Sequence, residues 1–188
     1  MSVFKPHIVI SSGEPAGIGL DLCILLGEKK FPAFITVVGD KHALSHRAKV
    51  LNKTIRFYEN KLVEHKGDHS LSIFHISARE EIKAGILNPK NNDYIFDVLN
   101  YGLDGCLNKS FDALVTAPIH KSIINESQPF TGHTEYIAQY THTKNEVMLL
   151  ASKSMKVALL TTHVPLSQVS HLITSQKFEE TLKTIHRD

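Results

Sequence analysis

The chain is poor in cysteine: Cys23 and Cys106 are the only two among 188 residues. They stand far apart, and neither has a CxxC partner or a Cys/His zinc spacing around it, which excludes a disulfide framework and a zinc finger. Each lies in an apolar, helix-like context, so both read as small buried hydrophobes of a reducing compartment. An excess of charge of either sign is missing too, with Lys+Arg 21 against Asp+Glu 19. That balance gives no electrostatic basis for binding nucleic acid or an anionic membrane surface. Any anion must be held by local geometry. No apolar run approaches the length needed to span a bilayer, and the first seven residues lack the apolar core of a signal peptide. A soluble, cytoplasmic protein is the expectation. Internal repeats and low-complexity tracts are absent as well.

What remains is an ordinary globular composition, 42% hydrophobic and 21% charged, long enough for one full domain or for pieces of two. Apolar, β-branched runs at His7–Ser11, Phe34–Gly39, Phe111–Thr116, Val147–Ala151 and Val157–Thr161 read as buried strands,. Thr54–Tyr58 and Leu71–Ile76 alternate like two more, with a polar loop between them,. Helical spacing appears at Leu22, Leu25 and Leu26. It recurs after Asp40, a candidate N-cap, and through Tyr94, Ile95, Val98, Leu99, Leu103 and Leu107,. Gly102 and Gly105 in this last helix mark a close approach by another element. Strands alternating with helices predict a mainly parallel sheet covered on both faces. Near the end, Phe178, Leu182 and Ile185 share one helical face with no stop signal before Asp188. The chain is therefore expected to be a truncated form.

Three junctions switch from an apolar strand to Gly, Pro, Thr and His, where ligands bind in open parallel sheets. The first, Gly13-Glu14-Pro15-Ala16-Gly17-Ile18-Gly19, has neither the Rossmann glycine spacing nor a Walker A lysine,. It is either an anion cradle of backbone amides or a tight turn that needs positive φ. The second, Thr116-Ala117-Pro118-Ile119-His120-Lys121, offers Lys121 as a point charge, or as a solvated lysine at a helix start. Downstream, Thr131-Gly132-His133-Thr134-Glu135 opens a helical pattern. His133 and Thr134 would then sit in the first turn, where free amides favour an anion; a plain helix cap is the alternative. The third, Thr161-Thr162-His163-Val164-Pro165, sets a histidine at a strand's carboxyl end. A neutral imidazole there can bind a divalent metal, but one histidine does not make a site.

In order along the chain, Ser-Gly-Glu-Pro-Ala-Gly-Ile-Gly, Val-Thr-Ala-Pro-Ile-His-Lys, Pro-Phe-Thr-Gly-His-Thr-Glu and Val-Ala-Leu-Leu-Thr-Thr-His-Val-Pro-Leu resemble the 4-hydroxythreonine-4-phosphate dehydrogenase family of vitamin B6 biosynthesis. Leu20 departs from it, since the family usually has proline there; this touches only the helix's N1 preference. The resemblance implies an α/β fold of two three-layer α/β/α domains like those of isocitrate and isopropylmalate dehydrogenases, incomplete here. Residues 1–125 would be the first part of one such domain and 126–188 the truncated start of a second. It implies NAD- or NADP-dependent oxidation, with decarboxylation, of 4-phosphooxy-threonine to 3-amino-2-oxopropyl phosphate. A divalent metal (zinc, magnesium or cobalt) would be held by three histidines in a homodimer with a shared site. His163 corresponds to the first metal histidine, and His133 and Thr134 to substrate-binding residues. The other two metal histidines and the remaining substrate ligands match nothing in this chain; His171 and His186 are not among them. Two alternatives remain: a paralogous dehydrogenase of 4-phospho-threonate or a phospho-erythronate, and a catalytically inert phosphate-binding or dimerising module.

Overall fold

The computed structural model describes residues 4–126 and 129–187. Its first unit is built on a five-stranded parallel sheet in the order β3-β4-β2-β1-β5. The strands are β1 (His7–Ser11), β2 (Phe34–Gly39), β3 (Arg56–Glu59), β4 (Ser70–His75) and β5 (Ala113–Thr116). Helices α1 (Gly19–Leu26) and α2 (Lys41–Val50) pack on one face, where Leu20, Cys23, Ile24, Leu44 and Ala48 meet Val37 and Ile73. Fully burying such aliphatic side chains contributes about 1.5–3 kcal/mol each. Arg47 clamps α2 to α1 by donating from Nε and Nη2 to the two carboxylate oxygens of Asp21, at 2.7 and 2.6 Å. Asp40 caps α2 as expected, accepting from the amides of His42 and Ala43.

The opposite face carries α3 (Asn92–Leu107), entered through a short 3-10 turn at Pro89–Asn91. Its glycines lie where the chain must come close. A Cβ on Gly102 would stand 2.7 Å from Leu114 Cδ1, and one on Gly105 would stand 2.1 Å from the Phe111 ring. Tyr94, at the start of α3, is fully buried. Its hydroxyl accepts from the Asp40 amide at 2.9 Å and pairs with Ser12 Oγ at 3.2 Å, tying together the carboxyl ends of β1 and β2. Burial pushes this phenol up to about 12, so it stays a neutral donor and acceptor.

Coverage of the sheet is not complete. Ile10 packs on the α1 side and pairs in register with Val115, which places Val115 on that same face at the β5 edge. Val115 is 48% exposed, and Leu22 and Leu25 of α1 and Ile18 just before it are exposed too. β5 is thus an open edge rather than the buried strand expected. Cys106 is also only partly buried.

After β5 come α4 (Lys121–Ile124) and α5 (His133–Tyr140). The chain divides into two compact units between His133 and Thr134. The second unit holds most of α5, strands β6 (Leu149–Ala151) and β7 (Lys156–Ala158), and helices α6 (Leu166–Leu172) and α7 (Ser175–Arg187). Here the expectation of two more buried strands in a mainly parallel sheet fails: β6 and β7 pair antiparallel and are largely exposed. The reason is the four-residue connection Ser152–Met155, closed by the Ser152 amide donating to the Met155 carbonyl at 2.8 Å. A parallel pair needs a crossover of a dozen or more residues. Among the described residues no helix is long and apolar enough to cross a membrane.

Candidate active site

β2 lies on one side of β1 and β5 on the other, so the loops leaving β1 and β5 meet at the point where the strand order reverses. A crevice at that point is where open α/β sheets bind ligands. The β1 loop turns at Gly13, with φ +72°. The Glu14 amide donates to the Pro118 carbonyl at 3.0 Å, and the Ala117 amide to the Ser11 carbonyl at 2.9 Å, lacing the two loops together.

That lacing decides between the two readings of the glycine-rich segment. The Ala16 amide donates to Glu14 Oε1 at 3.0 Å and the Gly17 amide to the Glu14 carbonyl at 3.0 Å. With the Glu14 amide engaged by Pro118, all three donors are taken, two of them by Glu14 itself. These bonds and the positive φ at Gly13 support the tight-turn reading. Glu14 is only 5% exposed. Burial pushes its carboxyl above the usual carboxylate range, against the pull of the Ala16 amide and of His120. His120 lies in the β5 loop, its Nδ1 paired with Ser122 Oγ at 2.9 Å. Glu14 and His120 were missed as neighbours from sequence because 106 positions separate them; only the parallel β1–β5 pairing joins them.

The second junction is organised by Asn125 and Phe130. Phe130 is 4% exposed and stands edge-on to Phe96 of α3. His133 sits against it, ring centroids 6.0 Å apart and planes at 88°. This residue opens α5, as expected. Burial first, and then the nearby charge of Lys121, push its pKa below the ordinary histidine value. Neutral His133 therefore offers one ring N–H and one lone pair at physiological pH. Because the folded state binds this proton less readily than the unfolded chain, His133 contributes stability that is present above about pH 6.5 and lost as pH falls. Stability measured by urea unfolding should drop between pH 7.5 and 5.5, and His133→Gln should flatten that drop. His7, also pushed down by burial, keeps its own share in both proteins. Equal slopes would refute the assignment to His133.

Thr134 belongs to the second unit, where it lines a cavity of roughly 400 Å³ together with Thr162, Thr174, Lys144 and Lys177. The structure thus brings Thr134 and the neighbour of His163 around one space. His163 follows β7, is exposed, and has φ +55°. Such a conformation is uncommon outside glycine, though histidine is among the enriched exceptions. Among the described residues no group of three or more His, Cys, Asp or Glu side chains could hold a metal ion. These residues do not by themselves fit a three-ligand metal site, and His163 offers one imidazole.

A model of the family described as "Pyridoxal phosphate biosynthetic protein PdxA" matches residues 32–188. The chain belongs to this PdxA family. Its relatives include the 4-hydroxythreonine-4-phosphate dehydrogenase of Neisseria meningitidis serogroup A, 40% identical over 189 residues, a match that covers 98% of this chain and 57% of the relative. The Vibrio cholerae protein of the same name is 38% identical over 186 residues, covering 97% and 56%. The chain therefore spans somewhat over half the length of these PdxA relatives. A crystal structure of 4-hydroxythreonine-4-phosphate dehydrogenase from Klebsiella pneumoniae superposes with a TM-score of 0.87 at 20% identity, covering all of this chain and 59% of that one. The Burkholderia phymatum structure gives 0.86 at 18%, covering 96% and 57%. At such identities the two structures establish the fold alone.

Proposed function

We propose that this chain supplies part of the active site of a 4-hydroxythreonine-4-phosphate dehydrogenase, with an architecture like that of isocitrate and isopropylmalate dehydrogenases and a site shared between two subunits. The substrate would be 4-phosphooxy-threonine, oxidised by NAD or NADP and decarboxylated to 3-amino-2-oxopropyl phosphate. The observation that carries this reading is His133 and Thr134 opening α5 in a chain of the PdxA family.

In this reading His133 is a neutral hydrogen-bonding group for the substrate's anionic end, held off the bulk solvent by Phe130. Thr134, the next residue of α5, would add a hydroxyl. Lys121, whose charge is felt at His133, favours an anion over a neutral ligand in that space. His163 would give a lone pair to a divalent cation, which when bound supplies Lewis-acid polarisation of the hydroxyl and ketone oxygens. The described residues supply only this one ligand, so no further step is derived through the metal.

The test is a substrate panel of 4-phosphooxy-threonine, 4-phospho-threonate and a phospho-erythronate with NAD and NADP, read as reduced nicotinamide formed. It is run on the 188-residue chain and on the chain joined to the carboxy-terminal remainder of the Neisseria meningitidis relative. Turnover of 4-phosphooxy-threonine by the joined protein supports the proposal. Turnover of another panel member alone would replace it with the paralogous activity. Phosphate binding without turnover in either form would leave the chain as a binding module.

A further inference from the structure

Asn125, at the carboxyl end of α4, bonds Phe130 with both ends of its side-chain amide. Its Oδ1 accepts from the Phe130 amide at 2.7 Å, and its Nδ2 donates to the Phe130 carbonyl at 3.2 Å. One side chain thus holds both backbone polar groups of one residue, as a paired strand would. The consequence is directional. Phe130 is held in register with its ring buried against Phe96, and three residues later the His133 ring finds Phe130 as its wall. Asn92, in the first turn of α3, anchors the same segment from the other side by donating from Nδ2 to the Ile123 carbonyl at 2.8 Å.

We propose that Asn125 is a positioning residue for His133, fastening the loop so that the imidazole stands against Phe130 and beside Lys121 in the orientation that receives the substrate's anionic group. The inference rests on the reading of His133 as a substrate ligand. Asn125 itself is exposed and touches no substrate; it acts through Phe130. A side chain that only stabilised the fold would not alter the local environment of one histidine three residues beyond its partner. Without these bonds Phe130 and the His133 ring against it would sample more orientations, and apparent affinity falls with the fraction that is competent.

The experiment uses the whole 188-residue chain, isotopically labelled, with the His133 ring followed by NMR across a pH titration, with and without inorganic phosphate. In the native chain His133 should titrate below the ordinary histidine value and move upward as phosphate is added. In Asn125→Ala it should titrate closer to the ordinary value, and phosphate should bind roughly tenfold more weakly. Asn125→Asp keeps the acceptor for the Phe130 amide but loses the donor, so it should fall between the two. Unchanged signals from His7 and His65 would show that the sheet remains folded. The proposal is overturned if Asn125→Ala leaves both the His133 titration and the phosphate response as in the native chain. Failure of phosphate to move His133 in the native chain would instead count against the substrate reading. The pH titration of the two variants would still decide whether Asn125 sets the position of His133.

Discussion

A His163→Ala enzyme is expected to lose turnover by about three orders of magnitude while keeping its fold. The comparison is made in the protein joined to the carboxy-terminal remainder of a relative. If His163 ligates the metal as proposed, its loss removes Lewis-acid stabilisation worth several kcal/mol, and each ~1.4 kcal/mol is tenfold in rate. Stability should change little, because His163 is exposed, and surface substitutions of this kind fall within about 0.5 kcal/mol. His163→Gly is the informative companion. With φ at +55°, glycine relaxes the backbone, so this variant should be at least as stable as the native protein and equally inactive. Metal content measured on each purified protein links the loss of rate to the loss of the ion. Native turnover in His163→Ala would sink the ligand assignment.

The second large effect concerns the fold beneath the site. Gly13→Ala should cost about 2–5 kcal/mol, combining the left-handed backbone penalty with overpacking. That is a substantial part of the 5–15 kcal/mol that typically holds a domain together. A Cβ at Gly13 would lie 2.4 Å from the Pro118 carbonyl oxygen and 2.9 Å from that of Ala117. Both obstacles are backbone, in the loop that also accepts the Glu14 amide. Relief requires pulling the β1 and β5 loops apart, which breaks their lacing. Gly85 is the control, since it shares a positive φ of +78° but has nothing within 4 Å of the added Cβ. Gly85→Ala should therefore show only the backbone penalty, about 1–2 kcal/mol. Urea unfolding separates the two, and equal small losses would refute the steric account.

Much of the first unit was legible in the residues. His7–Ser11 and Phe34–Gly39 form strands with the expected bounds, and Asp40 caps α2 as its position predicted. These signals are local: apolar runs, turn residues, a side chain reaching its own helix's amides. The errors arose where the outcome depends on distant partners. The apolar run at Phe111–Thr116 looked buried, but coverage of β5 depends on which helices lie over it, and α1 leaves Val115 exposed. The antiparallel pairing of β6 and β7 follows from the short connection between them, to which strand-like composition is blind. In the site, the helix start at His133 was visible as a pattern. Its wall at Phe130, its clamp at Asn125 and the nearness of Lys121 were not, because each depends on how the loop after β5 folds back. Likewise the glycine-rich segment could be a cradle or a turn until the Glu14 side chain was seen to use its own loop's amide.

Because every strand of the main sheet runs the same way, the two ends of that sheet have different tasks. The loops after β1, β2, β4 and β5 hold the Glu14 turn, the Asp40 cap and the His120–Lys121 segment. The connections before β2, β3, β4 and β5 sit at the other end, and the turn around Asn52 and Thr54 is exposed there. For anyone engineering the molecule, this gives a grafting end. A fluorophore, affinity tag or surface tether installed near Thr54 lies a full strand length from the loops at the opposite end of the sheet, so the protein can be immobilised or watched without obstructing them.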